Sequence, residues 1–178
     1  NQGGWIDNTI ATETNDSELD NYRLKLNAQP TDRLSAELST WVSRSHYGAP
    51  STSFDDGTSS ATQAEPIDTD YEVYGLKVEY DFDKFSVLSA TSRMDYSNVG
   101  FLDIAAGLDH AVTDISAELL IQEVRLTSTL DGPWQWSLGG MYRDAEDRVI
   151  GRLPVIWGPT AYNDRIYGSE SWAVFGEV

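Results

Sequence analysis

Two histidines are the first residues to weigh, because histidine is the commonest general base and metal ligand near neutral pH. His46 and His110 stand alone in polar stretches, and neither belongs to a zinc-protease spacing such as H-E-x-x-H. The chain has no cysteine, no G-x-S-x-G elbow and no glycine-rich phosphate loop. Acidic clusters such as 144–147 offer the oxygen ligands that calcium prefers, but none has the spacing of an EF-hand. We therefore expect no enzyme activity, no metal and no cofactor.

A second set of residues could bind a solute without reacting with it. Arginine holds a carboxylate or phosphate through two parallel hydrogen bonds, and an aromatic ring offers a face for stacking. The candidate ligand contacts are Arg44, His46, Tyr47, Tyr96, Arg143 and Arg148. A surface built from these residues would suit an iron chelate or a sugar, provided that the fold brings them together.

Alternation with a period of two residues runs through most of the chain and predicts β-strands. In the stretch 34–44, for example, Leu34, Leu38 and Val42 fall on one face, and mostly polar residues fall on the other. Strands are predicted at 20–29, 34–44, 72–82, 85–96, 117–130, 134–143 and from 171 onward. Short turns near residues 31, 83 and 132 (Asp131-Gly132-Pro133 in the last case) join them in pairs. The predicted fold class is all-β, an antiparallel up-and-down meander of about seven strands.

Long polar stretches separate these hairpins. Residues 1–20, 45–70, 97–115 and 144–170 are interpreted as loops, and they hold 18 acidic and 3 basic residues, a net charge of −15. Short turns at one end and long loops at the other are typical of a transmembrane β-barrel, with short periplasmic turns and long extracellular loops. A soluble β-sandwich would show the same alternation and stays open as an alternative.

Aromatic residues near the strand ends favour the barrel, because membrane interfaces select belts of tyrosine and tryptophan. The belt beside the loops is assigned Tyr22, Trp41, Tyr47, Tyr71, Tyr74, Tyr96, Tyr142 and Trp172. The polar strand faces would then line the interior and form ion pairs across strands. The charged residues on these faces are Arg23, Lys25, Glu37, Lys77, Glu79, Glu123 and Arg125.

Composition excludes two classes of protein. No run of residues approaches the roughly 18 apolar residues that a membrane helix needs. The 12 basic and 29 acidic residues give a net charge of −17, which argues against nucleic acid as a partner, because phosphate binding needs a basic face. The start has no methionine and no targeting signal, and residues 171–178 look like a strand in progress. We expect a piece of a longer protein.

Several phrases resemble the β-barrel of TonB-dependent outer-membrane receptors. "GGWIDN" (3–8) and "YRLKLNAQPTDRLSAELS" (22–39) look like the early barrel region of that family. "QEVRLTSTLDGPWQWSLGGMYRD" (122–144) is similar to its recurring unit of strand, short turn and strand, and "ESWAVFGEV" (170–178) looks like the strand that follows. The resemblance covers most of the chain outside the long loops.

The resemblance implies a barrel of about 22 strands filled by an N-terminal plug and energised through a TonB box. Residues 1–178 would then be a partial β-barrel domain, without the plug and the remaining strands, in the outer membrane of a Gram-negative bacterium. Its partners would be outer-membrane lipid, the TonB system through parts that this chain lacks, and a small scarce solute such as a ferric siderophore. Relatives carry cobalamin, haem and oligosaccharides. A passive porin and a soluble carbohydrate-binding or adhesive β-sandwich remain as alternatives.

Overall fold

A computed structural model describes residues 2–104, 107–130, 132–153 and 161–178 of the chain. Within them the chain forms seven β-strands and no helix, and every strand pairs antiparallel with the next in one sheet. The strands are β1 (Ser17–Thr31), β2 (Leu34–Tyr47), β3 (Ile67–Asp81), β4 (Phe85–Ile104), β5 (Asp109–Ser128), β6 (Ser137–Leu153) and β7 (Ala161–Glu177). The predicted antiparallel meander is confirmed, as an open sheet with β1 and β7 at its edges. Among the described residues, no helix has the length and apolar character needed to cross a lipid bilayer.

Short connections join β1 to β2 and β3 to β4 at the same end of the sheet, as predicted. In the first, the hydroxyl of Thr31 accepts hydrogen bonds from the backbone N–H groups of Arg33 (3.3 Å) and Leu34 (3.0 Å). The guanidinium of Arg33 lies 2.6 Å from the carboxylate of Asp83, so an ion pair joins these two turns. Asp131, which belongs to the third predicted turn, lies outside the described residues.

At the opposite end the strands extend well beyond their predicted bounds. β4 continues to Ile104 and β5 begins at Asp109, although 97–115 was predicted as a loop. β6 continues to Leu153 and β7 begins at Ala161, inside the predicted loop 144–170. The long-loop prediction is therefore wrong for these two connections and holds, among the described residues, for 2–16 and 48–66. The reason is that ladder hydrogen bonds join backbones, so a strand does not end where its side chains become polar.

The pairing register assigns every strand residue to one of two faces, because residues directly opposite each other point to the same side of a sheet. Leu26, Leu38 and Leu76 form one such row, which defines the Leu38 face. Trp41 and Val73 form a row on the other side, which defines the Trp41 face.

Most of the buried side chains among the described residues lie in a loop layer at the long-loop end. Ile6 is 1% exposed, and Ala61 is 6% exposed. The amide oxygen of Asn15 accepts hydrogen bonds from the backbone N–H groups of Trp5 (2.7 Å) and Ile6 (2.8 Å). The hydroxyl of Thr9 donates to the carbonyl of Ala61 at 2.7 Å. Segment 2–16 therefore packs against loop 48–66.

Candidate functional site

The half of the Leu38 face nearest the short turns is apolar and exposed. This apolar band comprises the same-face positions from Tyr22 to Ala28, Leu34 to Val42, Tyr74 to Tyr80, Val87 to Thr91, Leu120 to Leu126, Leu138 to Tyr142 and Trp172 to Gly176. No charged residue occupies any of these described positions. At its centre, Leu38 is 46% exposed and Leu26 is 52% exposed. A contiguous apolar surface of this kind marks a contact with another apolar phase or partner.

Aromatic residues mark the edge of the apolar band that faces the loops. On four of the described strands the last uncharged position is aromatic, namely Tyr22, Tyr74, Tyr142 and Trp172. The other four residues assigned to this belt lie on the Trp41 face, namely Trp41, Tyr47, Tyr71 and Tyr96. The belt of eight is therefore corrected to a belt of four, because strand neighbours an odd number of residues apart point to opposite faces.

A charged band follows directly along the Leu38 face, between the apolar band and the row of His46. It holds twelve carboxylates and three arginines among the described residues, a net charge of −9. The carboxylates are Glu18, Asp20, Asp68, Asp70, Glu72, Asp95, Asp114, Glu118, Asp144, Glu146, Asp164 and Glu170, and the arginines are Arg44, Arg93 and Arg148. Much of the negative charge assigned to loops thus lies on strands.

The six candidate ligand contacts are divided between the two faces. Arg44, His46 and Arg148 lie on the Leu38 face, and Tyr47, Tyr96 and Arg143 lie on the Trp41 face. The fold therefore does not bring the six together, because a solute on one side of the sheet reaches only three of them. Whether any of them binds a solute stays a prediction.

The two candidate arginines on the Leu38 face, Arg44 and Arg148, already have carboxylate partners. Arg44 lies 3.5 Å from Glu72 and 3.9 Å from Asp70, and both partners come from the neighbouring strand. Arg148 donates two hydrogen bonds, of 3.1 and 2.9 Å, to the carboxylate of Asp164. An anionic ligand at either site would have to displace a bound carboxylate.

The histidine and the remaining arginine also have protein partners. The Nδ1 of His46 lies 2.7 Å from the carboxylate of Asp68, directly opposite on β3. Arg143 donates to the hydroxyl of Ser169 at 3.0 Å. Among the described residues, no group of three or more His, Asp or Glu side chains has a geometry that could hold a metal ion.

On the Trp41 face, the half nearest the short turns carries three ion pairs. They are Lys25–Glu37 (2.9 Å), Lys77–Glu79 (3.6 Å) and Arg125–Glu123 (2.7 Å). Pairing across strands is confirmed for the first, whereas the other two pairs join residues two apart on one strand. Exposed pairs of this kind contribute little stability, but they neutralise this half of the face.

Beyond these ion pairs, the Trp41 face becomes aromatic and uncharged on β2 to β5. Trp41 and Tyr71 make an edge-to-face contact with ring centroids 5.2 Å apart, and Tyr96 lies directly opposite Tyr71. We call the surface around them the aromatic patch. Its twelve described positions, none charged, are Trp41, Ser43, Ser45, Thr69, Tyr71, Val73, Met94, Tyr96, Asn98, Ile115, Ala117 and Leu119.

The carboxylate of Asp103 joins loop 48–66 to the tip of the β4–β5 hairpin. It accepts hydrogen bonds from the backbone N–H of Thr62 (2.6 Å), the hydroxyl of Thr62 (2.9 Å) and the backbone N–H of Gly107 (2.7 Å). Partial burial raises the pKa of Asp103, but these hydrogen bonds outweigh that effect and hold its pKa below the usual 3.8. The loop is thus held by segment 2–16 on one side and by this hairpin on the other.

Comparison with known proteins identifies no family. No family model matches the chain. Over 88 residues, or 49% of its length, the chain is 31% identical to TNF receptor-associated factor 2 of Homo sapiens, and this stretch spans 16% of that protein. So short a match does not carry over a fold or a function.

Proposed function

We propose that this chain is a segment of a transmembrane β-barrel in the outer membrane of a Gram-negative bacterium. Because the sequence resembles TonB-dependent receptors, we propose that the segment takes part in the energy-coupled import of a scarce solute. A ferric siderophore is the first candidate for that solute. In this proposal lipid covers the apolar band, and the Trp41 face lines the interior of the barrel.

The height of the apolar band is the observation that carries the proposal. On β2 the band runs from Leu34 to Val42, about 27 Å at about 3.4 Å per residue. The lipid-facing belt of outer-membrane barrels is about 25 Å tall and is edged by aromatic girdles. At the turn side of the band, opposite the belt that includes Tyr22, the Phe82 ring stacks on Phe85 with centroids 4.7 Å apart and makes a tilted contact with Tyr80 at 4.6 Å.

The oblique course of the boundary between the two bands also supports a membrane. The apolar band begins at Tyr22 on β1, but on β7 it begins at Trp172, which shares a row with Leu38 rather than with Val42. The boundary therefore shifts by four residues, about 14 Å, across six strand spacings of about 4.8 Å. A flat membrane surface would give this course if the strands were tilted by about 25°, somewhat less than the 35–45° of closed barrels.

A soluble β-sandwich accounts less well for both faces. In a sandwich a second sheet covers one face, and the other face meets water. Here each face carries an uncharged area, which is apolar around Leu38 on one side and aromatic around Trp41 on the other. A barrel places one of these areas in lipid and the other in the interior.

The test is to express the chain without detergent and to combine size exclusion with far-UV circular dichroism. We expect aggregation that detergent or phospholipid relieves, giving a β-rich species, because the apolar band and two unpaired edges cannot remain in water. A monodisperse, β-rich monomer without detergent would refute the membrane proposal and favour the sandwich.

A further inference from the structure

We propose that two copies of this chain meet in the membrane through a polar cluster on the Leu38 face, formed by Ser89, Thr91 and Gln122 of β4 and β5. The inference rests on the proposed function, because it requires the apolar band to face lipid. It adds a partner to that function, namely a second copy of the chain, and it concerns the outer surface of the barrel.

The three side chains of the polar cluster are joined by hydrogen bonds. The hydroxyl of Thr91 donates to the amide oxygen of Gln122, which lies directly opposite on β5. The amide nitrogen of Gln122 donates to the hydroxyl of Ser89 and to the backbone carbonyl of Glu123, both at 3.1 Å. The amide is therefore satisfied within the chain. The Ser89 hydroxyl accepts this one hydrogen bond and, among the described residues, donates none.

The polar cluster lies inside a band that is otherwise almost free of such residues. Apart from Thr40, no other described position of the apolar band is Ser, Thr, Asn or Gln. Ser89 is the middle one of the three band positions on β4, and Gln122 lies about 7 Å along β5 from Leu120, the first band position of that strand. In the proposed barrel both residues lie within the hydrocarbon region. A hydroxyl hydrogen without an acceptor costs free energy there, because lipid tails accept no hydrogen bond.

A second copy of the chain can supply the missing acceptor. A two-fold axis along the membrane normal places each residue at the same depth as its counterpart in the other copy. Ser89 then faces Ser89 of the second copy, and a hydroxyl suits such a contact because it both donates and accepts. Val78 and Val124, its neighbours in the row, have short side chains that leave the hydroxyl accessible. Side-chain hydrogen bonds of this kind also join transmembrane helices.

The charges beside the polar cluster are compatible with self-association. Arg93 follows Thr91 on the same face of β4. It donates hydrogen bonds of 2.9 and 2.8 Å to the carboxylate of Asp95 and lies 3.3 Å from Glu118. Two copies that meet here bring each arginine close to carboxylates of both copies. Their charged bands therefore do not meet as two purely negative surfaces.

Cysteine crosslinking tests the contact, because the chain has no cysteine of its own. A disulfide forms only where two Cα atoms come within about 7 Å. Ser89→Cys, oxidised in phospholipid vesicles at a low ratio of protein to lipid, should give a covalent dimer as the main product. Ala28→Cys and Val174→Cys are matched controls in the same row, on the edge strands β1 and β7, and should remain mostly monomeric.

The controls also separate this contact from pairing between unpaired sheet edges. β4 lies three strands from either edge. Association through β1 or β7 would therefore crosslink Ala28→Cys or Val174→Cys and leave Ser89→Cys monomeric, which would overturn the inference.

A second measurement tests the role of the polar groups. The dissociation constant of the dimer is determined in detergent by sedimentation equilibrium. Ser89→Ala and Gln122→Leu should each raise it about threefold or more, because the contact loses a hydrogen bond or the group that orients one. Ser92→Ala, on the other face of β4, should leave it unchanged. Circular dichroism of each variant checks that the sheet is retained.

The outcomes distinguish this inference from the proposed function. A chain that needs detergent but stays monomeric, or that crosslinks equally at all three cysteine positions, refutes the inference and leaves the barrel standing. A chain that is soluble without detergent and still forms the Ser89→Cys dimer refutes the barrel and keeps the contact between two copies. Equal dissociation constants for Ser89→Ala and the unsubstituted chain would show that the polar cluster does not hold the copies together.

Discussion

Arginine introduced at three depths of the apolar band should reveal whether lipid covers it. Leu34, Leu38 and Val42 lie on one face of β2, and Leu38 is about 14 Å along the strand from each of the others. With strands tilted by about 25°, Leu38 lies about 12 Å below either edge of the band, close to the middle of a bilayer. Leu38→Arg should therefore reduce the free energy of unfolding by about 2–4 kcal/mol, and Leu34→Arg and Val42→Arg by about 0–1 kcal/mol.

The measurement is denaturant unfolding of the chain in phospholipid vesicles, followed by tryptophan fluorescence. Ser35→Arg, an exposed position on the other face of the same strand, is the control and should cost no more than about 0.5 kcal/mol. A flat profile near zero would mean that water covers the band, since Leu38 is 46% exposed in the sheet alone. Large losses at all three positions would mean that protein covers it. Either result would refute the reasoning.

Three further results are expected. Gly139→Val should weaken the pairing of β7 by no more than about 1 kcal/mol, because the new side chain would overlap only the outer end of the exposed Phe175 ring, which can move aside. Adding Phe175→Ala should recover part of this loss in denaturant titrations, and strict additivity of the two substitutions would contradict the explanation. Asp103→Asn should speed amide hydrogen exchange at Thr62 without changing global unfolding. Because the pKa of Asp103 is lowered, its hydrogen bonds to Thr62 and Gly107 in the wild-type chain should be complete above pH 3.8 and be lost only as the pH falls below that value. Faster exchange at Thr62 already above pH 3.8 would contradict the lowered pKa. Ile6→Ala should speed exchange in segment 2–16 while the sheet unfolds as before, and a loss of global stability would show that the loop layer and the sheet are one cooperative unit.

Local alternation was enough to predict all seven strands and to identify the residues in the half of each strand that lies nearest the short turns. Leu34, Leu38 and Val42 share a face because successive side chains of an extended chain point to opposite sides, which is a property of the chain alone. The same parity places Arg44 with Val42 rather than with Tyr47. Because the residues beyond 44 were predicted to be a loop, no face was predicted for them, although the alternation in the sequence assigns one to each.

The ends of the strands depended on tertiary structure. β4 and β5 pair as far as Ile104 opposite Asp109, and the residues near these strand ends are mixed in polarity, so the sequence has no apolar alternation to mark the ends. These segments are strands because a neighbouring strand supplies backbone hydrogen bonds, and the side-chain pattern within a segment does not show where that pairing ends.

The grouping of residues into surfaces depended on register. The contact of Trp41 with Tyr71 requires β2 and β3 to pair in one register across the loop 48–66. The sequence by itself determined the strands and the two faces of each strand, because alternation needs only an extended backbone. Only the tertiary structure decided which residues of neighbouring strands lie side by side on a face. The reason is that register is set by long-range pairing and by loops such as 48–66, and no local sequence pattern specifies how such loops pack.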